Sequence, residues 1–280
     1  MFRNAAQSSS GYQSSRPLAR NLLLGAVALG AMTLVNPAHA QTRDSAEPVC
    51  TLAGSALDPT LTRTRFQLMT GRTLTIVAIG SSSTEGAGAS SDSAAYPGRL
   101  QALLGTRFPG IAIRVLNRGV GGEEEADMLA RFDRDVIAEK PDLVLWQVAS
   151  NAIVRDRPLS TQETLIREGI ARLKQSGADT VLIDPQYTTA VLAHAVAVPM
   201  VDLIADEAHR HRVGTFHRFA LMQDWHEKER IPFETFSIAD GLHMNDWGYD
   251  CLARNLAAAI VDSAIAPAMA SASTGGQGRL

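Results

Sequence analysis

A glycine-bounded turn, Gly80-Ser81-Ser82-Ser83-Thr84-Glu85-Gly86, carries three adjacent serines, and far along the chain Asp240-Gly241-Leu242-His243 sets an aspartate three residues before a histidine. A serine hydroxyl is a weak nucleophile that needs an adjacent base, which a positioned imidazole supplies. An aspartate at that spacing reaches the Nδ1–H of the histidine, fixes its tautomer and stabilises the imidazolium formed during attack. Two further loops offer donors for a developing oxyanion. Asn117-Arg118-Gly119-Val120-Gly121-Gly122 provides a glycine N–H, and Ala149-Ser150-Asn151-Ala152 provides a side-chain amide. Such donors, with the N–H of the serine itself, are what a tetrahedral acyl intermediate requires. The chemistry that these residue types perform together is acyl transfer.

The elements that must position these loops are legible as well. Short apolar runs alternate with helical patterns, which predicts stacked βα units and a mainly parallel sheet of α/β class. Strands are expected at Leu74–Ile79, Ile111–Leu116, Leu143–Val148, Thr180–Ile183 and Val213–Phe216. Helices are expected at about 94–108, 122–137, 159–175, 196–211 and 246–264, and Gly177 stops the third of these. Ser160-x-x-Glu163 reads as a capping box for that helix. Ligands bind open parallel sheets at the carboxyl ends of the strands. The three loops that follow the first three strands are the ones singled out above. Residues 41–70 form a lead-in without a clear pattern, and the Ala/Ser/Gly-rich stretch 267–280 reads as a disordered tail.

Taken in order, the four blocks resemble those of the SGNH hydrolase superfamily, the GDSL-type esterases, over roughly residues 74–262. The block G-D-S-x-x-x-G falls on Gly80–Gly86 and makes Ser82, rather than Ser81 or Ser83, the nucleophile. The block N-x-x-x-x-G falls on Asn117–Gly122 and makes Gly122 an oxyanion donor. The block G-x-N falls on Ala149–Asn151 and makes Asn151 the side-chain donor, and D-x-x-H falls on Asp240–His243. The resemblance implies a three-layer α/β/α, flavodoxin-like sheet of five strands in the order 2-1-3-4-5. It implies hydrolysis of acyl esters or thioesters with no metal and no other cofactor. Two positions depart from the pattern. Ser81 stands where the family has aspartate, and Ala149 replaces a glycine, adding a methyl where the backbone needs freedom.

The remaining signals bound the setting. Arg3, Arg16 and Arg20 precede an apolar run from Leu22 to Val35, then Ala38-His39-Ala40, with no acidic residue before Asp44. This is the pattern of a signal peptide over residues 1–40, and it predicts a periplasmic or secreted product. The hydrolase domain is then expected at 71–266. No later segment has the length and apolarity of a membrane span. A net charge of −3, made more acidic by loss of the leader, disfavours nucleic-acid binding. Cys50 and Cys251 either pair in an oxidising compartment, stapling the two ends of the chain, or remain two buried thiols. The glycine-rich turn lacks both dinucleotide-binding and P-loop spacing. His209, His211 and His217 lack the companions of a zinc site and read as solvated or hydrogen-bonded side chains. Trp146 reads as core and Trp247 as a candidate wall of the substrate cleft. The expected partner is a small-molecule or glycan ester, O-acetylated polysaccharide first. A lipid or lysophospholipid esterase, an acyltransferase on the same residues and a non-catalytic carbohydrate-binding module are the alternatives.

Overall fold

The computed structural model describes residues 48–53, 57–58 and 60–273. The expected signal peptide and the last seven residues of the expected tail lie outside them. The elements run α1 (Thr62–Thr70), β1 (Leu74–Gly80), α2 (Ser82–Glu85), α3 (Tyr96–Arg107), β2 (Ile113–Gly119), α4 (Glu125–Asp135) and β3 (Leu143–Gln147). They continue with α5 (Ser150–Val154), α6 (Leu159–Ser176), β4 (Asp179–Ile183), α7 (Thr189–Leu192), α8 (Ala197–His211) and β5 (Gly214–Phe216). After α9 (Arg218–Gln223) comes a π-helical turn over Asp224–Lys228, then α10 (Phe233–Phe236) and α11 (Asp246–Ser273).

The five strands form one parallel sheet in the order β2-β1-β3-β4-β5, as expected. The sequence explains the order. β1 and β3 are buried at every position and are apolar almost throughout, as strands covered on both faces must be. β2, with Arg114, Asn117 and Arg118, is only partly buried and lies at an edge. Helices α1, α3 and α11 pack together on one face, and α4, α6 and α8 on the other. Trp146 lies in the core, edge-on to Phe132 at 5.1 Å between ring centroids. It fits because α6 has a glycine opposite it: a Cβ on Gly169 would stand 2.2 Å from the indole.

Three details differ from the sequence reading. Ser160 and Glu163 do not form a capping box, because Pro158 takes the N-cap position and leaves Ser160 inside the first turn. Glu163 pairs instead with Arg167 one turn on. The last helix runs to Ser273 rather than ending near Ala264, since its alanine-rich sequence has high helix propensity and one proline does not outweigh it. The lead-in is also more defined than its sequence suggests. Leu57 and Leu61 are buried, the Ala53 N–H donates to Asn255 Oδ1 at 2.8 Å, and α1 follows.

Cys50 and Cys251 are disulfide-bonded, with Cα atoms 5.4 Å apart across 201 residues of sequence. Closing so long a loop in the unfolded chain is worth up to about 5 kcal/mol in the chain-entropy model, with typical measured values of about 2–4 kcal/mol. Each kcal/mol moves the Tm of a domain this size by roughly 2–4 °C. Cys50→Ser with Cys251→Ser should therefore lower the Tm by roughly 10 °C while leaving the sheet intact. Calorimetry of the variant beside the oxidised protein checks this, and an unchanged Tm would contradict it.

Candidate active site

The serine turn is built by close packing at the carboxyl end of β1. A Cβ on Gly80 would lie 2.2 Å from Thr84 Oγ1 and 2.7 Å from Gln147 Oε1, so only glycine lets the chain fold back there. On the β2 side, a Cβ on Gly119 would lie 2.0 Å from the Glu85 nitrogen, so α2 rests directly on that strand. The three serines then take different roles. Ser81 is buried and donates to Gln147 Oε1 through both its N–H (2.8 Å) and its hydroxyl (3.0 Å). Ser83 is buried and its hydroxyl accepts from Arg218 Nη1 at 3.0 Å. Of the three, Ser82 is the one whose hydroxyl meets the histidine, 2.8 Å from His243 Nε2.

His243 reaches Ser82 from a tight turn. Ser237 and Met244 form an antiparallel bridge, the Ile238 N–H donates to the His243 carbonyl at 2.9 Å, and Gly241 sits at φ 68°. The Gly241 carbonyl accepts the Ala190 N–H at 2.9 Å, which docks the turn on α7. Within it, His243 Nδ1–H donates to Asp240 Oδ2 at 2.6 Å, while Asp240 Oδ1 accepts the N–H groups of Leu242 and His243, each at 2.9 Å. Burial pushes the Asp240 carboxyl up, but the hydrogen bonds from the His243 side chain and the two backbone N–H groups outweigh it. They hold the carboxylate below its usual range.

Asn151 is tied to the loop that carries Gly122: its Nδ2 donates to the carbonyl of the next residue, Glu123, at 2.8 Å. That bond uses one of two amide hydrogens and leaves the other available. The Gly122 carbonyl accepts from Arg155 Nη2 at 3.0 Å, and its N–H has no hydrogen-bond partner among the described residues. Gly121 brings this loop beside the serine, since a Cβ there would lie 3.8 Å from Ser82 Cβ. The three glutamates that follow are each used. Glu123 chelates Arg131 at 2.6–3.0 Å. Glu124 caps α4 in a capping box with Asp127 and also pairs with Arg155 and Arg157. Glu125 is buried, and its Oε1 accepts the N–H of Ala149, which sits in the left-handed region at φ 67°. The methyl predicted to be awkward is thus held in a conformation that favours glycine, at a cost of about 1–2 kcal/mol.

Burial raises the Glu125 carboxyl above its usual range. A carboxyl raised by folding contributes stability below its unfolded pKa, and that contribution is lost as pH rises through the folded value. Glu125→Gln keeps the acceptor for Ala149 and removes the ionisation. It should raise the Tm at pH 8, where the unfolded chain gains stability by ionising, and leave it close to wild type at pH 4. Thermal melts at both pH values check this, and an equal shift at both would contradict it.

Several residues of the site carry no motif. Gln147 is a polar side chain in an otherwise apolar strand, the one such signal that the sequence itself offers. Ser150, Gln186, Asp184 and Arg218 are all buried and lie at or beyond the carboxyl ends of β3, β4 and β5. Burial pulls the Arg218 guanidinium down to about 10, so it remains charged at neutral pH. Trp247 is anchored by the lead-in and by a second tryptophan. Its indole N–H donates to the Pro48 carbonyl at 2.9 Å and its ring packs edge-on to Trp225, because the lead-in crosses the start of α11 there. His211 lies 3.4 Å from Glu207, and His217 lies 3.5 Å from Asp184. Among the described residues no cluster of His, Cys, Asp and Glu is arranged to hold a metal ion. Among them, too, no helix is long and apolar enough to cross a membrane.

Comparison with known proteins adds a family and a fold. A model of the non-GDSL lipase-like family matches residues 49–266. An acetylxylan esterase of Geobacillus stearothermophilus is 31% identical over 102 residues, which is 33% of this chain and 47% of the relative. The match therefore spans about half the length of that relative. The solved structure of an acetylxylan esterase from the same organism superposes with a TM-score of 0.57 at 20% identity, covering 69% of this chain and 94% of that one. Catalytic mutants of that enzyme at a serine, an aspartate and a histidine have also been solved, the aspartate three positions before the histidine. A two-domain esterase active on acetylated mannans superposes with a TM-score of 0.60 at 16% identity, covering 74% of this chain and 55% of that one. At these identities the structural likeness is one of fold.

Proposed function

We propose that this chain, which belongs to the non-GDSL lipase-like family, is an exported serine esterase that removes acetyl groups from O-acetylated carbohydrate. The observation that carries the reading is the unbroken relay from Ser82 Oγ through His243 to Asp240, at 2.8 and 2.6 Å. The order of the four blocks supports reading the site as SGNH-like without the aspartate of a GDSL motif, a reading in keeping with the non-GDSL family, and Ser81 at that position is tied to Gln147.

In the proposed reaction, Ser82 Oγ attacks the ester carbonyl carbon and passes its proton to His243 Nε2. Asp240 stabilises the resulting imidazolium without itself taking the proton. The carbonyl oxygen becomes an oxyanion that accepts from the N–H groups of Ser82 and Gly122 and from Asn151 Nδ2. Collapse breaks the bond to the sugar oxygen, which leaves with the proton from His243. The acetyl group stays on Ser82 until water, deprotonated by His243, attacks in its turn. The bond to Ser82 Oγ then breaks as His243 returns the proton to that oxygen, and acetic acid departs, giving up its remaining proton to solvent as acetate.

Acetylated carbohydrate is favoured over lipid by the acetylxylan esterase relative and by the absence of any long apolar lid between the blocks. Export is supported by the leader pattern of residues 1–40 and, independently, by the Cys50–Cys251 disulfide, which suits an oxidising compartment. The test is acetate release from O-acetylated xylooligosaccharides, with p-nitrophenyl acetate and octanoate compared alongside. The expected result is stoichiometric free acetate and a kcat/KM at least tenfold higher for the acetyl than the octanoyl ester. A preference for octanoate, or transfer of acetyl to an added sugar in place of free acetate, would overturn it.

A further inference from the structure

We propose that Arg218 is a positioning residue that fixes the nucleophile relative to the oxyanion amide, acting from beneath the site through Ser83 and Ser150. The inference rests on the reading of Ser82 and Asn151 given above. Arg218 is fully buried, and it donates three hydrogen bonds to three different segments. Nη1 reaches the Ser83 hydroxyl (3.0 Å), Nη2 the Ser150 hydroxyl (3.3 Å), and Nε the Asp184 carbonyl just past β4 (2.8 Å). Ser83 directly follows the nucleophile and Ser150 directly precedes Asn151. One planar guanidinium thus spans the two loops whose separation the oxyanion geometry depends on, from a rigid fork anchored at a strand end.

Ser150 extends the linkage to the third loop. Besides accepting from Arg218, its hydroxyl accepts from Gln147 Nε2 at 3.2 Å and donates to Gln186 Oε1 at 2.8 Å, which uses its full hydrogen-bonding capacity. Gln147 holds Ser81 on the other side of the nucleophile, and Gln186 Nε2 donates to the carbonyl of Leu242, the residue before His243. Residues adjacent to Ser82, Asn151 and His243 therefore converge on a single buried hydroxyl. The buried Asp184 carboxyl offsets part of the cost of burying this charge, yet the guanidinium spends its hydrogen bonds on two hydroxyls and a carbonyl of the site's loops rather than on that carboxylate.

The test uses Arg218→Lys, which keeps the charge but loses the fork, together with Ser83→Ala and Ser150→Ala, which each remove one contact while Arg218 stays. For each variant that melts as a folded protein, kcat and KM are measured with p-nitrophenyl acetate well below its Tm, with wild type alongside. Misplacement by about 1 Å costs on the order of 10²-fold in rate. Arg218→Lys, Ser83→Ala and Ser150→Ala are each expected to show a roughly 10- to 100-fold lower kcat, with KM within threefold of wild type. If Arg218→Lys does not fold, the two serine variants decide. Folded variants with kcat within twofold of wild type, or losses confined to KM, would overturn the proposal. Lack of turnover in wild type would instead count against the esterase reading itself.

Discussion

Replacing Ser82 by alanine should lower kcat for acetyl-ester hydrolysis by roughly 10⁶-fold, leaving only the slow reaction that bound water supports. The size follows from what is lost. With no oxygen at Cβ there is no acyl-enzyme, and the oxyanion donors alone sustain roughly 10³–10⁴-fold catalysis over water. Fold effects should be small, because the hydroxyl is spent on His243 at 2.8 Å and not on the buried network beneath. Ser81 and Ser83 are no substitutes: their hydroxyls are committed to Gln147 and Arg218 and both side chains are buried. Steady-state kinetics with p-nitrophenyl acetate, on protein whose melt matches wild type, checks the figure. A variant retaining a tenth of wild-type activity would place the nucleophile elsewhere.

Asp240→Asn should cost roughly 10⁴-fold in kcat, by turning the histidine to the wrong tautomer. The asparagine side chain can keep the acceptor geometry toward the backbone N–H groups of Leu242 and His243, which Oδ1 now serves at 2.9 Å. What changes is the other contact. The 2.6 Å bond from His243 Nδ1–H requires an acceptor at Oδ2, and an amide presenting NH₂ there forces the proton onto Nε2, where it can no longer accept from Ser82. The pH dependence of stability should change with it. A carboxyl held below its usual range contributes stability above the unfolded pKa, and that contribution is lost as pH falls through the folded value. Asp240→Asn should therefore lose stability at neutral pH and be closest to wild type in acid. Kinetics and melts at pH 7 and pH 3 test both statements together, and a kcat within tenfold of wild type would contradict the first.

The sheet and the four blocks were legible in the sequence because both are written locally. Five apolar runs of strand length, separated by helical periods, give the order of elements, and the motif residues lie directly after the strands. The parts that were not legible depend on contacts distant in sequence. Arg218 reaches Ser83 across 135 positions and Ser150 across 68, and nothing near Arg218 marks it as part of the site. Trp247, four residues beyond the histidine, invited a place in the cleft, yet its position is set by Pro48 and Trp225. The lead-in lacks periodicity because its partners are Asn255 and Ser263 on α11 rather than its own neighbours. Ser160 and Glu163 show the converse failure, a correct local pattern displaced by the proline before it. Ala149 was legible in part. Its departure from glycine predicted backbone strain, and its φ of 67° is that strain, but the Glu125 carboxylate that secures its N–H lies 24 residues away.

Incubating the purified protein with a fluorophosphonate probe and mapping the adduct by mass spectrometry tests the central claim most directly. A single adduct is expected on the peptide containing residues 81–83, localised to Ser82 and absent from Ser82→Ala and His243→Ala. An adduct on any other residue, or none in protein that melts as a folded domain, would contradict it.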